Sequence, residues 1–227
     1  MARVKLELID SPREEYEKWR DWCRGEWRRR YRLARDALSR GLDCFLRGDR
    51  EGSLKAVKEF YTLIEPIGRE ACWALGCKFG VWRARPREFR IVVLRECEEN
   101  PPVMAATRLA DCTVFFFAYG LLRAVKEMTK ETGHRRGIAW GVYRGLQAAA
   151  HEWCHQYSFW TVYSVDEKAA MRLLKDLYLL YELHAYGAEE IVKEWAKTGF
   201  KVLRRTRTVK SWLKTWKDLS FTGQLPT

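Results

Sequence analysis

The sequence predicts a predominantly helical α+β fold. Apolar residues recur every three or four positions over long stretches, which is the period of a helix with one buried face. Between residues 88 and 118 this period gives way to short runs of β-branched and aromatic residues beside prolines, which favour strands. Apolar residues make up 47% of the 227 residues, so the chain can bury a substantial core.

The first third of the chain predicts two helices. Ser11-Pro12-Arg13-Glu14 combines an N-cap residue, a proline at the first helical position and the glutamate of a capping box. The apolar stripe from Tyr16 to Phe45 has helical spacing and predicts a core-facing side rather than a stacking surface. After a turn at Gly48-Asp49, a second helix is predicted from about Ser53 to Lys78, with a kink at Pro66.

The middle of the chain predicts a small sheet followed by two helices. Phe89–Leu94 and Thr113–Phe117 are the clearest strand candidates, and Asn100-Pro101-Pro102 separates them. We predict a small antiparallel sheet between residues 88 and 118. Helices are predicted from about Gly120 to Glu131 and from about Arg136 to Trp160.

The last third predicts two more helices. Ser164-Val165-Asp166-Glu167 forms a second capping box, and the helix that it opens is predicted to pass through Glu182 towards Trp195. A last, basic helix is predicted over Val209–Leu219. The change of pattern near residue 86 divides the chain into an N-terminal helical region, residues 1–85, and a remainder, residues 86–227. We expect the two to form one compact unit.

The net charge of +12 is concentrated towards the C-terminus, where nine Lys and Arg stand against one Glu between Lys193 and Lys217. Such a segment can attract nucleic acid, an anionic membrane or an acidic partner, and a solvated basic face is the alternative. The candidate contacts with nucleic acid are Arg204, Arg205, Arg207, Lys210 and Lys214.

The composition also bears on location and source. No stretch approaches about 18 consecutive apolar residues, and MARVKLELID lacks the apolar region of a signal peptide. We therefore expect a cytoplasmic protein without a transmembrane segment. The seven cysteines are odd in number and scattered, which indicates small buried hydrophobic residues rather than a disulfide scaffold. The many Arg, Lys, Glu and Trp residues are compatible with a thermophilic source.

One short motif carries chemistry. His151-Glu152-Trp153-Cys154-His155 has the form H-E-x-x-H, and residues four apart share one face of a helix, so both imidazoles can bind one zinc ion. Glu152, about 100° around the helix, borders the ion and can act as general base on zinc-bound water. The alternative is a polar helix face on which Glu152 pairs with a neighbouring arginine.

A catalytic zinc needs a third protein ligand, and the residues directly after the motif include no histidine. The next predicted helix carries Glu182 and His184. His155 lies about five residues before the Trp160–Tyr163 connection, whereas Glu182 lies about eighteen residues after it. The helix that carries Glu182 must therefore cross the H-E-x-x-H helix at an angle, or a longer segment of chain must come before it.

A resemblance to a known family favours Glu182. Glu182-Leu183-His184-Ala185-Tyr186 is an E-x-x-A motif followed by an aromatic, on the helix after H-E-x-x-H. In this respect residues 88–195 resemble small zinc metallopeptidases of the gluzincin type, including the ImmA/IrrE-like group and related phage and archaeal proteins. The resemblance implies a zincin-like fold that hydrolyses a peptide or protein. It also implies that His151, His155 and Glu182 bind zinc, with Glu152 as general base.

The chain departs from the pattern of that family in three respects. Cys154 stands before the second histidine, where Gly, Ala or Thr is commoner, although a small residue is kept. No Asp follows Glu182 at the spacing of a residue that supports the metal ligands. Residues 1–85 have no counterpart in the family.

The resemblance further implies a strand for substrate binding, because the peptide substrate of a zincin pairs with an exposed edge strand. The candidate edge strand consists of Thr113, Val114, Phe115, Phe116 and Phe117, and a buried core strand is the alternative. The candidate oxyanion donors are Tyr157, Tyr163 and Tyr186. The competing hypothesis is a basic helical nucleic-acid-binding or structural protein without catalysis, whose binding weakens with salt.

Overall fold

Two long helices form the N-terminal part of the chain, as the sequence predicts. In a computed structural model that describes residues 4–96 and 103–221, helix α1 spans Pro12–Leu46 and helix α2 spans Arg50–Lys78. Gly48, with φ at +76°, makes the turn between them in a conformation that glycine adopts without strain. The side chain of Asp49 caps α2 by accepting a hydrogen bond from the backbone N–H of Gly52 at 2.9 Å. Helix α2 continues through Pro66.

Two predicted capping boxes are not formed. Ser11 precedes α1, yet its side chain makes no capping hydrogen bond. In the second case the cap lies two residues later than predicted, because the carboxylate of Asp166, not Ser164, accepts from the backbone N–H groups of Lys168 and Ala169. Both helices nevertheless begin within three residues of the predicted positions.

The strands form two small sheets. Strands β1 (Leu6–Leu8) and β2 (Ala84–Pro86) pair antiparallel, and this pair was not predicted. Strands β3 (Arg90–Leu94), β4 (Ala105–Arg108) and β5 (Thr113–Phe117) form a second sheet in the order β3-β5-β4. The predicted break at residues 100–102 lies outside the described residues.

The prediction that this second sheet is antiparallel is wrong in part. β4 pairs antiparallel with β5, because a short turn at Leu109–Asp111 and Cys112, at φ +52°, reverse the chain between them. β3 instead pairs parallel with β5, with Arg90 opposite Thr113. The chain between β3 and β5 includes β4 and is long enough to return to the same end of the sheet, as a parallel pair requires.

In the described part of the chain, five α-helices follow the sheet. They are α3 (Ala118–Thr132), α4 (His134–Tyr163), α5 (Glu167–Lys175), α6 (Tyr178–Lys197) and α7 (Arg207–Phe221). The predicted single helix through Glu182 is therefore two helices. The backbone N–H groups of Asp176 and Leu177 both donate to the carbonyl of Arg172, at 2.9 and 3.1 Å, and this closes α5 before α6 begins.

Helix α4 runs through the core between α2, α3 and α6. Its small residues allow close approach: a Cβ on Gly68 of α2 would lie 2.6 Å from the Cβ of Ala149. Buried residues from both predicted regions, such as Trp27, Phe60 and Leu146, belong to the same hydrophobic core. The α+β, predominantly helical class is thus confirmed. Among the described residues, no helix is both long and apolar enough to cross a membrane.

Candidate metal centre

Helices α4 and α6 bring two histidines and one glutamate together. His151 and His155 lie one turn apart on α4, and their Nε2 atoms are 3.1 Å apart. Glu182 of α6 faces both rings: Oε2 lies 3.3 Å from Nε2 of His151, and Oε1 lies 3.3 Å from Nε2 of His155. The three side chains predicted to bind zinc therefore converge, with one carboxylate oxygen towards each imidazole.

The break between α5 and α6 explains how Glu182 reaches this position. Helix α5 accounts for the extra residues between α4 and α6, and α6 is a separate helix that begins at Tyr178. The hydroxyl of Tyr181 then donates a hydrogen bond to the backbone carbonyl of His155, and its ring lies 4.4 Å from the His155 ring. This contact fixes the second turn of α6 against the second histidine.

The geometry of the cluster fits a zinc ion. With zinc–ligand bonds of about 2.0–2.1 Å, two ligands of a tetrahedral ion lie about 3.3 Å apart. The Nε2–Nε2 distance of 3.1 Å is close to that spacing, and Glu182 presents Oε2 to one imidazole and Oε1 to the other, each at 3.3 Å. With one ligand atom taken from each residue, the three atoms all lie within 4.8 Å of one another. Two histidines and one glutamate are also a donor set of catalytic zinc sites, which leave a fourth position for water. Among the described residues, no other group of three or more His, Cys, Asp and Glu side chains converges in this way.

A second carboxylate, which the sequence reasoning missed, supports the first histidine. Oε2 of Glu189 lies 3.2 Å from Nδ1 of His151, on the side of the ring away from Glu182. A carboxylate in this position orients a metal-binding imidazole and makes it a better ligand. Glu189 follows Glu182 by seven residues, which is two helical turns. This spacing, which places both carboxylates on one face of the helix, was the feature of the sequence from which Glu189 could have been predicted. Arg144 approaches Glu189 from α4 at 3.9 Å.

Electrostatic interactions in the cluster favour the protonated form of His151 and the ionised form of Glu182. Burial opposes the protonated form of His151, but hydrogen bonds to Glu182 and Glu189 outweigh it and raise its pKa to about 10. Burial likewise opposes the ionised form of Glu182, but hydrogen bonds from His151 and His155 lower its pKa below the ordinary value. Without a metal ion, this arrangement is therefore an ion pair between Glu182 and a protonated His151.

Glu152 lies beside the cluster and is almost fully buried. Burial raises the pKa of its carboxyl, whereas the neighbouring His151 and His155 act in the opposite direction. A carboxyl group whose pKa is raised towards neutrality suits proton transfer. The residue expected to serve as general base therefore lies next to the three converging side chains.

The three candidate oxyanion donors have different surroundings. The ring of Tyr186 lies 4.8 Å from that of His151, so this residue borders the cluster. Tyr157 is instead buried against Trp73 and Trp153 on another face of α4. Tyr163 packs on Phe159 and Trp160, in a separate group of buried residues. Those two predictions are wrong, because neither tyrosine faces the cluster.

Tyr178, which was not predicted, also borders the cluster. Burial and, next, the carboxylate of Glu182 raise the pKa of its hydroxyl, which places that hydroxyl close to Glu182. Tyr178 and Tyr186 stand four residues before and four residues after Glu182, so all three share one face of α6. Two phenol groups therefore flank the carboxylate.

The predicted edge strand is wrong. β5, which contains Thr113, Val114, Phe115, Phe116 and Phe117, lies at the centre of its sheet with a partner on each side. The edge strand that contacts α4 is β4. Nε2 of Gln156, the residue after His155, donates to Oγ1 of Thr107 at 2.5 Å and to the carbonyl of Arg108 at 3.4 Å.

The remaining candidates lie apart from the cluster. His184 is fully buried and stacks on Trp212, with the ring centres 4.9 Å apart, so Glu182 and not His184 joins the two histidines. His134 is the first residue of α4 and shares a hydrogen bond with Ser39 at 2.8 Å. The basic candidates Arg204, Arg205, Arg207, Lys210 and Lys214 are all exposed.

Two clefts on the surface of the described residues do not include the metal ligands. The larger, of about 510 Å³, is lined by Arg144, Gln147 and Glu190 among others, and the smaller, of about 330 Å³, lies on the side of α4 that carries Trp153. Comparison of the chain with family models, curated proteins and solved structures finds no match.

Proposed function

We propose that this protein is a zinc-dependent metallopeptidase. The observation that carries the proposal is the convergence of His151, His155 and Glu182, whose ligand atoms all lie within 4.8 Å of one another. The support of His151 by Glu189 and the buried Glu152 beside the cluster add to it. A zincin-like core and a cytoplasmic location are parts of this proposal.

Each residue has a role in peptide hydrolysis. A zinc ion held by the three ligands would polarise the scissile carbonyl and lower the pKa of a bound water. Glu152 takes the proton from the attacking water and passes it to the leaving amine. Tyr178 and Tyr186 present hydroxyl groups on the solvent side, where they can donate to the oxygen that becomes negative. Glu189 holds the His151 ring in its binding orientation.

The surface around the centre favours a peptide as substrate. Leu179 and Leu183 are 78% and 59% exposed on the turn of α6 that carries Glu182, with Tyr178 and Tyr186 beside them. Exposed apolar side chains grouped in this way mark interaction surfaces. Within the described residues β4 has a strand partner on one side only, so it replaces β5 as the candidate strand for substrate pairing.

The Glu152→Gln variant tests the catalytic role. We expect it to keep its zinc and to cleave fluorogenic peptides with apolar side chains about 10²- to 10⁴-fold more slowly, because a positioned general base contributes that factor. Glu190→Gln is the matched control, since Glu190 lies on α6 but is hydrogen-bonded to Gln147. Full activity of the Glu152→Gln variant would exclude this role for the residue. No cleavage by the zinc-loaded wild type of any peptide in the set would contradict the proposed activity.

A basic nucleic-acid-binding protein remains the second candidate. The observation in its favour is that Arg204, Arg205, Arg207, Lys210 and Lys214 are exposed, and no ion pair with a described acidic residue neutralises them. Such a surface predicts duplex binding whose affinity falls steeply with salt. Replacing Lys210 and Lys214 by Gln should weaken that binding and reduce its salt dependence. Unchanged binding to the double variant, or none by the wild type at about 50 mM salt, would contradict this candidate.

A further inference from the structure

A second cavity, an open surface cleft with both polar and apolar walls, lies beside α4 and away from the metal ligands. It has a volume of about 330 Å³ and is lined by parts of β2, α1, α2 and α4. Trp153 and Tyr157 face it from α4. Because each stands two residues from a metal-binding histidine, it points about 200° around the helix from that histidine. The cavity is therefore a different site from the metal centre.

Glu70 is the buried acid of this cavity. Its side chain is 7% exposed, and Oε1 accepts a hydrogen bond from Nε of Arg69 at 3.1 Å. Oε2 is buried and has no hydrogen-bond partner among the described residues. An unpaired buried carboxylate oxygen is costly, so it marks a position where a donor from a ligand would stabilise the protein.

Arg85 supplies the opposite charge. Its Nε donates to Glu7 at 2.7 Å, and within the described part of the chain no hydrogen bond uses its two terminal nitrogens. Arg85 and Glu70 both line the cavity, but they form no direct ion pair with each other within the described residues. Within the described residues, Oε2 of Glu70 thus lacks a donor and the terminal nitrogens of Arg85 lack an acceptor, and both side chains line the same cavity.

The aromatic side chains that line the cavity restrict the classes of ligand that can bind there. The guanidinium of Arg69 lies 4.3 Å from the ring centre of Phe89 and 5.5 Å from that of Trp153. The guanidinium of Arg85 lies 4.7 Å from Trp73 and 5.4 Å from Trp19. Because the arginines already cover ring faces, a nucleobase would have to displace them in order to stack. The rings still offer apolar edges to an aliphatic or aromatic side chain.

We propose that this cavity binds a free α-amino acid with an apolar side chain. The ammonium group donates to Oε2 of Glu70, and the carboxylate accepts from the terminal nitrogens of Arg85. The side chain packs against the edges of Trp19, Phe89 and Trp153. A zwitterion matches the site because it supplies one donor group and one acceptor group without adding net charge. The site is independent of the proposed peptidase activity.

Isothermal titration calorimetry with L-phenylalanine tests the proposal, with zinc present and after its removal by a chelator. We expect a Kd of about 1 mM or lower, which is the affinity that a ligand of this size commonly reaches. Two half-ligands separate the contacts: 2-phenylethylamine lacks the carboxylate, and 3-phenylpropionate lacks the ammonium group. Each should bind at least about tenfold more weakly, because each loses one charge-assisted hydrogen bond.

Variants locate the binding in this cavity. Glu70→Gln and Arg85→Met should each weaken L-phenylalanine binding by about 10- to 100-fold. Glu59→Gln is the matched control, since Glu59 lies on the same helix but is exposed and pairs with Arg40. If Glu70→Gln does not fold, Trp19→Ala at the α1 wall of the cavity serves instead, with the same weakening expected.

Three results would overturn the proposal. The first is that binding of L-phenylalanine does not saturate up to about 10 mM, which is well above the expected Kd. The second is that the amino acid and the two half-ligands bind equally well. The third is that the Glu70 and Arg85 variants bind L-phenylalanine as tightly as wild type. Tighter binding of guanosine than of L-phenylalanine would also overturn it and would indicate a nucleobase site.

Discussion

Replacing Glu189 by Gln tests how the metal centre is coupled to protons. Nδ1 of His151 lies 3.2 Å from Glu189, and its Nε2 lies 3.3 Å from Glu182. Burial alone would lower the pKa of His151, but the two carboxylates raise it to about 10. The imidazole of the metal-free protein is therefore protonated at neutral pH, and each carboxylate accounts for part of the shift.

The expected change follows from the loss of one charge. A hydrogen bond to a carboxylate contributes about 1.5–3 kcal/mol, and one to a neutral amide about 0.5–1.5 kcal/mol. The difference, about 1.4 kcal/mol, corresponds to one pKa unit. Glu189→Gln should therefore lower the pKa of His151 by about one unit, from about 10 to about 9.

Nuclear magnetic resonance titration of the metal-free protein, labelled with ¹⁵N in its four histidines, measures this pKa directly. Glu190→Gln is the control, because Glu190 is the next residue on α6 but contacts Gln147 and Lys193 rather than His151. The control should keep the wild-type pKa. A titration midpoint of about 6.5 for His151 in wild type, the ordinary value for histidine, would refute the reasoning. Equal His151 midpoints in wild type and Glu189→Gln would also refute it.

Three further predictions concern protons and packing. Zinc binding at pH 7.5 should release about one proton from His151, measurable by calorimetry in buffers of different ionisation enthalpy, and no release would contradict the raised pKa. In the metal-free protein, the stabilisation from protonated His151 should be full below about pH 6.5 and decline as pH rises to about 10, because the unfolded chain loses the proton first. Urea unfolding should show a steeper decline between about pH 6.5 and 8 in wild type than in His151→Gln, because at higher pH the buried cysteines, whose pKa burial raises, lower the stability of both proteins. Gly68→Ala should lower the free energy of unfolding by about 1–3 kcal/mol, since its Cβ would lie 2.6 Å from Ala149, whereas Gly25→Ala, with nothing within 4 Å, should raise it by about 0.5–1 kcal/mol. Equal effects of the two glycine substitutions would contradict the close packing of α2 on α4.

The long helices could be predicted because their apolar faces repeat over many turns. α1 and α2 are separated by Gly48-Asp49, which marks the turn in the sequence as well as in the structure. The break between α5 and α6 carries no such mark, since Asp176-Leu177 contains neither Gly nor Pro and the apolar period continues across it. Hydrogen bonds to the carbonyl of Arg172 close α5 there, and no local pattern encodes them.

The strands could be located more easily than paired. β3 and β5 coincide with the predicted runs, because β-branched and aromatic residues favour extended backbone. Their parallel pairing depends on the path of the intervening chain, which local patterns do not specify. The central place of β5 followed from that pairing, and it removed β5 as an edge for substrate. β1 and β2 have three residues each, too few for a period to show.

The candidate site could be predicted in part. His151, Glu152 and His155 follow from helical spacing alone, whereas Glu182 rested on a resemblance. Glu189 was not predicted, because the family pattern has an Asp after the glutamate ligand, although Glu189 lies on the same face as Glu182 two turns later. Tyr157 and Tyr163 were wrong because a tyrosine near the motif in sequence can point to the opposite face of α4.

The metal content of the purified protein tests the central claim most directly. Wild type dialysed against dilute zinc should retain about one ion per chain, as a three-ligand site predicts. His155→Ala and Glu182→Ala should each lose most of it, while circular dichroism shows that they keep the helical content of the metal-free wild type. His134→Ala, which changes a histidine hydrogen-bonded to Ser39, should retain the ion. Full zinc retention by both His155→Ala and Glu182→Ala would contradict the site.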